Sequence, residues 1–163
     1  MEIVVRPLLK EDWHSVSRIY EEGIATGIAT FETECPNWKQ WDDKCISDCR
    51  IVAVFNNQIA GFAVLSPVSK RNVYKGVAEV SVYIAQDFRG NHIGELLLEN
   101  LIDKSEEFEF WTLQASIFSE NRASINLHQK CGFRIVGVRE KIGQLHGRWH
   151  DNQLLERRSK IKN

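Results

Sequence analysis

The sequence of 163 residues has no apolar run approaching the roughly 20 residues of a membrane-spanning helix, and its opening, MEIVVRPLL, has no basic region ahead of an apolar stretch. No membrane segment and no export leader are expected, and the expected location is the cytoplasm. Charge of one sign is also lacking. A formal net charge of −1, with Lys, Arg, Asp and Glu mixed along the chain, leaves no basic stripe for nucleic acid and no polybasic patch for a membrane surface. The four cysteines, Cys35, Cys45, Cys49 and Cys131, lack the paired Cys-x-x-Cys spacing of a zinc site, so buried or free thiols are expected. His146 and His150 stand four apart beside Asp151, but Gly147 and Trp149 argue against the helix that would align them, and no metal is expected. Repeats and low-complexity segments are absent as well. With 43% hydrophobic residues, residues 1–163 read as one domain able to bury a core, with a small molecule as its partner.

Two nucleotide signatures are missing too. A Walker A loop ends in Gly-Lys-Ser/Thr where this chain has Ile93-Gly94-Glu95, and the dinucleotide fingerprint G-x-G-x-x-G does not occur. The stretch from Glu79 to Gly94, EVSVYIAQDFRGNHIG, nevertheless has the form of an anion site. Val80, Val82 and Ile84 alternate with Glu79, Ser81 and Tyr83, which predicts a strand, and Leu96, Leu97, Leu101 and Ile102 recur at helical spacing after the turn. A helix that begins after a glycine-bearing turn presents unpaired N–H groups and the positive end of its dipole, and phosphate is the usual guest. The same pattern also suits a plain strand-to-helix connection.

The rest of the chain reads in order as follows. Ile3 to Arg6 is a strand, ended by Pro7. A helix follows from about Lys10 to Glu22, with Trp13, Val16, Ile19 and Tyr20 on one face. Ile24 to Pro36 has neither period and reads as an ordered loop. Trp38 and Trp41 sit on a short helix, and Arg50 to Phe55 and Gln58 to Leu65 form a hairpin across Asn56-Asn57. A polar connection from Ser66 to Gly76 leads into the central strand. Further strands are expected at Thr112 to Phe118, Phe133 to Arg139 and Asp151 to Arg157, a helix at Arg122 to Lys130 closed by Gly132, and a Gly-bounded loop at Gly143 to Trp149. The order β-α-α-β-β-β-α-β-α-β-β predicts an α/β fold with a mixed central sheet flanked by helices.

Arg89-Gly90-Asn91-His92-Ile93-Gly94 resembles the Arg/Gln-x-x-Gly-x-Gly/Ala motif of the GNAT acyltransferase superfamily, with His92 where the family has its middle glycine. Five further stretches are similar to the phosphinothricin acetyltransferase branch and its relatives that acetylate methionine sulfoximine and methionine sulfone. They are Thr30-Phe31-Glu32-Thr33-Glu34, Arg71-Asn72-Val73-Tyr74, Ala78 to Tyr83, Asn121-x-x-Ser124-x-x-Leu127-His128-x-x-x-Gly132-Phe133, and His146-Gly147-Arg148-Trp149-His150-Asp151. The resemblance covers nearly the whole chain. It implies the GNAT fold, acetyl-CoA as cosubstrate, N-acetylation of a small amino acid or analogue, and a homodimer.

The resemblance also implies site residues. Gly90, Asn91, His92, Ile93, Gly94 and Glu95 would hold the pyrophosphate, Val82, Tyr83 and Ile84 would give backbone hydrogen bonds to the pantetheine arm, and Asn121 would touch the cofactor further along. Glu79 would act as base through water, where strand pattern alone gives an outward polar position. His128 stands where many members have a tyrosine that protonates the leaving thiolate; an imidazole can do the same, or can simply sit on the polar side of a packed helix. Arg71 and Tyr74 would bind the acceptor's carboxylate, since a guanidinium offers that group a planar pair of donors. Phe31, Glu32 and the loop of His146 would complete the acceptor pocket. His92, at the start of the helix, must either point away from the pyrophosphate or crowd it. Two other functions fit the same pattern: acetylation of a protein N-terminus or lysine, and acyl-CoA binding without turnover.

Overall fold

The computed structural model describes residues 2–162. Strand β1 (Val4–Pro7) stops at Pro7, and a single 3-10 turn leads into helix α1 (Trp13–Thr26). The entry is fixed by Asp12, whose carboxylate accepts from Arg6 at 2.8 and 2.9 Å and from the Leu9 N–H at 2.8 Å. The α1 helix runs past the expected end at Glu22 because its stop signal is Gly27, left-handed at φ 73°, whose N–H closes on the Ile24 carbonyl. Helix α2 (Trp38–Lys44) starts from a reciprocal cap between Asn37 and Gln40.

Strands β2 (Arg50–Phe55) and β3 (Gln58–Pro67) form the expected hairpin, with Asn56 and Asn57 both at positive φ, as a tight turn between twisted strands requires. The elements β4 (Val77–Ile84), α3 (Ile93–Glu107), β5 (Thr112–Phe118) and α4 (Arg122–Lys130) follow the sequence expectation closely. The C-terminal part does not. There β6 (Arg134–Leu145) and β7 (Arg148–Arg158) form one long hairpin, and the expected loop from Gly143 to Trp149 is the hairpin's tip. The turn itself is His146-Gly147, both left-handed at φ 51° and 77°. Register shifts at Ile135/Gly137 and Arg139/Gly143 break the alternation that would have revealed a single strand. At the second bulge the Lys141 N–H is satisfied by the Asp151 carboxylate at 2.8 Å.

The sheet has the order β1-β2-β3-β4-β5-β7-β6 and is antiparallel except for β4 and β5. One face packs α3, through Leu97, Leu98 and Leu101, and α4, through Ile125, against Leu65, Leu113 and Leu155, all at most 2% exposed. The other face packs α1 and α2 through Val16, Ile19 and Trp41 against Val52 and Phe62. Each such side chain contributes about 1.5–3 kcal/mol by leaving water. Arg50 locks α2 onto this face. Its side chain donates to the Asp42 carboxylate (2.6 Å) and to the Asp42 and Cys45 carbonyls (2.9 and 2.7 Å), and it lies over the Trp41 ring at 5.1 Å.

Candidate active site

The β4–β5 ladder has only three register pairs, Val77↔Thr112, Ala78↔Leu113 and Glu79↔Gln114. Yet β4 continues to Ile84 and β5 to Phe118. Beyond Glu79 the two strands therefore part, and the edge of β4 over 80–84 that faces β5 has no strand partner among the described residues. A cleft of about 650 Å³ occupies the opening. Into it the fold brings Glu79 and His128 of the expected catalytic pair, Val82, Tyr83 and Asn121 of the expected cofactor contacts, and Phe31 and Glu32 of the expected acceptor pocket.

The alternation of β4 places Glu79, Ser81 and Tyr83 on one face, alongside Gln114, Ser116 and Phe118 of β5. Glu79 is half-buried, and its Oε1 accepts from Gln114 Nε2 and from Ser116 Oγ, both at 3.3 Å. Two neutral donors hold the carboxylate with no cation in direct contact among the described residues. Tyr83 closes the floor, stacked on Phe62 (ring centroids 5.3 Å apart) and tilted against Tyr20 (5.1 Å). It fits because α1 carries Gly23 at the crossing, where a Cβ would stand 2.7 Å from the Tyr83 ring. Burial raises the pKa of the Tyr83 hydroxyl, which therefore stays protonated. The loop between α1 and α2 forms the roof: Phe31 packs on Phe118 at 4.4 Å and against Gly143, and a buried His150, bonded to Glu120 at 2.6 Å, backs both rings.

His128 is 3% exposed, and its Nδ1 lies 2.7 Å from the Ser124 carbonyl one turn earlier. A carbonyl only accepts, so Nδ1 carries the proton and Nε2 of the neutral ring is bare. Burial lowers the His128 pKa, which favours that neutral form. The ring can thus give up a proton from Nε2 only after receiving one. Asn121 caps α4 by accepting from the Ser124 N–H at 3.2 Å, and its Nδ2 donates to the Ile28 carbonyl at 3.4 Å, tying the helix to the roof loop.

Gly90, Asn91 and His92 form an exposed turn, and Ile93, buried in the core, Gly94 and Glu95 begin α3. The first backbone bond of the helix runs from the Leu96 N–H to the His92 carbonyl, and the N–H groups of Ile93, Gly94 and Glu95 have no partner among the described residues. Gly94 admits α4 closely, with Leu127 3.0 Å from where a Cβ would stand. His92 is left-handed at φ 61° with its side chain 82% exposed. The position thus favours glycine for its backbone angle, and the imidazole points outward. Glu95 bonds Lys130 of α4 at 2.8 Å, which lowers its pKa, and lies 3.6 Å from His92 Nδ1. The Ile84 carbonyl is taken by Arg89 Nε at 3.3 Å.

Arg71, Tyr74 and His146 do not line this cleft. Arg71 stacks on Tyr74 at 5.4 Å in an exposed turn, and His146 forms the tip of the β6–β7 hairpin. Sequence reasoning missed Ser116, which reads as an outward strand position, and Glu22, whose Oε2 accepts from the Gln86 N–H at 2.7 Å and anchors the approach to the α3 turn. Neither belongs to a local motif, since each works across a long sequence separation.

A mixed sheet that opens beside a carboxylate, with a free helix N-terminus following the opened strand, can hold an anionic group at the helix start and a general base at the opening. The acetyltransferase (GNAT) family matches residues 10–133, and the chain belongs to that family. It is 33% identical to a phosphinothricin N-acetyltransferase of Alcaligenes faecalis, over 94% of this chain and 81% of that one. It is 32% identical to an L-amino acid N-acyltransferase of Escherichia coli, over 90% and 88%. Among solved structures, a phosphinothricin acetyltransferase from Sinorhizobium meliloti in complex with AcCoA superposes with a TM-score of 0.90 at 28% identity, covering 100% of this chain and 91% of that one. A ribosomal-protein-alanine N-acetyltransferase from Brucella melitensis superposes with a TM-score of 0.87 at 28% identity, covering 96% and 99%. The protein is an acetyl-CoA-dependent N-acetyltransferase with the GNAT fold.

Proposed function

We propose that the protein transfers the acetyl group of acetyl-CoA to the α-amine of a small amino acid or amino-acid analogue of the phosphinothricin or methionine sulfoximine type. The observation that carries this reading is the enclosure of Glu79 where β4 and β5 part, under a roof formed by Phe31 and its loop. The relatives named for phosphinothricin and for L-amino acids support it.

In this reading the N–H groups at the start of α3 hold the pyrophosphate, and the edge of β4 at Val82 to Ile84, which β5 leaves unpaired, pairs with the pantetheine arm, Arg89 releasing the Ile84 carbonyl if that group takes part. Asn121, from α4, borders the same path. Glu79 takes a proton from the acceptor ammonium through water, which frees the nitrogen lone pair to form the new C–N bond as the C–S bond breaks. His128 accepts at Nε2 the proton that the attacking nitrogen sheds as the C–N bond forms, and gives it to the departing thiolate. The homodimer that the family resemblance implies would have the exposed apolar side chains Val73, Tyr74, Val138, Ile142 and Trp149 available to it.

The test is acetyl-CoA-dependent thiol release with a panel of free amino acids and analogues, phosphinothricin and methionine sulfone among them. Saturable release with at least one free amino acid is expected. The likeness to the Brucella enzyme favours a second reading, a peptide N-terminus as acceptor. Release with an alanine-ended peptide and with no free amino acid would select it.

A further inference from the structure

An arginine on the edge strand is joined to Glu79 by two hydrogen bonds. Arg139 Nη2 donates to Ser116 Oγ at 3.0 Å, and Ser116 Oγ in turn donates to Glu79 Oε1 at 3.3 Å. The guanidinium is oriented by a second bond, from Nε to Asn152 Oδ1 at 2.9 Å. Ser116, Asn152 and Glu79 line the cleft; Arg139 is not itself a lining residue but shares their side of the sheet through its register with Asn152 and bonds two of the lining side chains directly. The strand bulges immediately after Arg139, a device that re-aims a side chain. Arg139 is exposed, and the remaining N–H groups of its guanidinium have no partner among the described residues.

The charge of the cleft gives this arginine a task. Three carboxylates, Glu32, Glu34 and Glu79, line it among the described residues, against Lys44 of α2 and the buried, neutral His128. An α-amino acid whose amine approaches Glu79 brings its own carboxylate into that field, and repulsion would disfavour it without a cation nearby. We propose that Arg139 is that cation, receiving the acceptor's carboxylate on its free donors while the amine faces Glu79. The two-bond span from guanidinium to Glu79 is one that the neighbouring amine and carboxylate of a single α-amino acid can bridge, with Ser116 releasing one or both of its partners. A guanidinium presents the planar donor pair this contact uses. Arg139 therefore takes the role that the sequence suggested for Arg71. The inference rests on the amino-acid reading of the acceptor.

The test compares methionine sulfone with the amine obtained by removing its carboxylate, as acceptors for the parent, Arg139→Met and Arg139→Lys. The ratio of kcat/KM between the two acceptors is expected to fall roughly tenfold to a hundredfold in Arg139→Met, with Arg139→Lys intermediate. An unchanged ratio, with both acceptors losing equally, would overturn the proposal and leave Arg139 as a residue that positions Glu79 through Ser116. Calorimetric titration of methionine sulfone onto the CoA-bound parent and Arg139→Lys reads the same contact without turnover; equal affinities there also overturn it. A parent that acetylates the amine or a peptide but no amino acid removes the acceptor reading, and the Arg139 assignment with it, before any variant is made.

Discussion

The two halves of the sheet are built differently. From β1 to β4 both faces are covered: α1 and α2 lie on one, α3 on the other, and strand β3 has seven consecutive buried residues. From β5 through β7 to β6 one face is covered by α4, while the other carries polar side chains; in β6 only Leu145 is buried. The join between the halves is the short parallel ladder that ends at Glu79. The closed half holds Glu79 and the turn at the start of α3 at fixed positions. The open half, with Ser116, Asn152 and Arg139, can vary without disturbing a core, which suits it to choosing the acceptor.

Changes in the closed half should therefore act on stability and changes in the open half on selectivity. Arg50→Met removes three hydrogen bonds from a side chain 7% exposed and leaves the Asp42 and Cys45 acceptors unpaired. A loss of about 2–3 kcal/mol is expected, seen as a Tm lower by roughly 4–12 °C, with the acceptor preference unaltered. A shift of preference without a shift of Tm would break the division between the halves.

A smaller effect is expected at His128, on the boundary. Its folded-state pKa is lowered by burial, so the unfolded chain binds the proton first as pH falls. The stability from a neutral His128 is complete above the unfolded value of about 6.5 and is lost as pH falls through the lower folded value. Urea midpoints at pH 7 and pH 5 should fall more for the parent than for His128→Gln; equal falls would mean that the ring is not held neutral. The smallest effect is expected at His92. Because its side chain faces solvent, His92→Gly should leave the KM for acetyl-CoA within about twofold. A larger change would mean that the imidazole reaches the phosphates.

Most of the fold was legible because its signals are local. Periodicity marked β4 and α3, Asn56-Asn57 marked the first hairpin, and the helix that follows Asn121 was found from the turn before it. The second hairpin was hidden by its own bulges, and the end of α1 by a stop glycine seven residues beyond Tyr20, the last residue of the apolar face. In the site, Glu79, His128 and the Gly90–Glu95 turn were visible as motif residues. Arg139 was invisible because an exposed arginine on an edge strand looks like any solvated position, and only the register of β6 with β7 brings it beside Asn152. Arg71 was visible for the opposite reason: it stands in a recognisable motif, yet lies outside the cleft of its own chain.

The measurement closest to the central claim is the turnover of Glu79→Gln with a free amino acid and acetyl-CoA. The substitution keeps the shape of the side chain and its contacts to Gln114 and Ser116 while removing its basicity. A base at the strand opening predicts that kcat falls about 10²-fold or more with acetyl-CoA affinity nearly unchanged. A variant that turns over like the parent from pH 6 to 9 would contradict it.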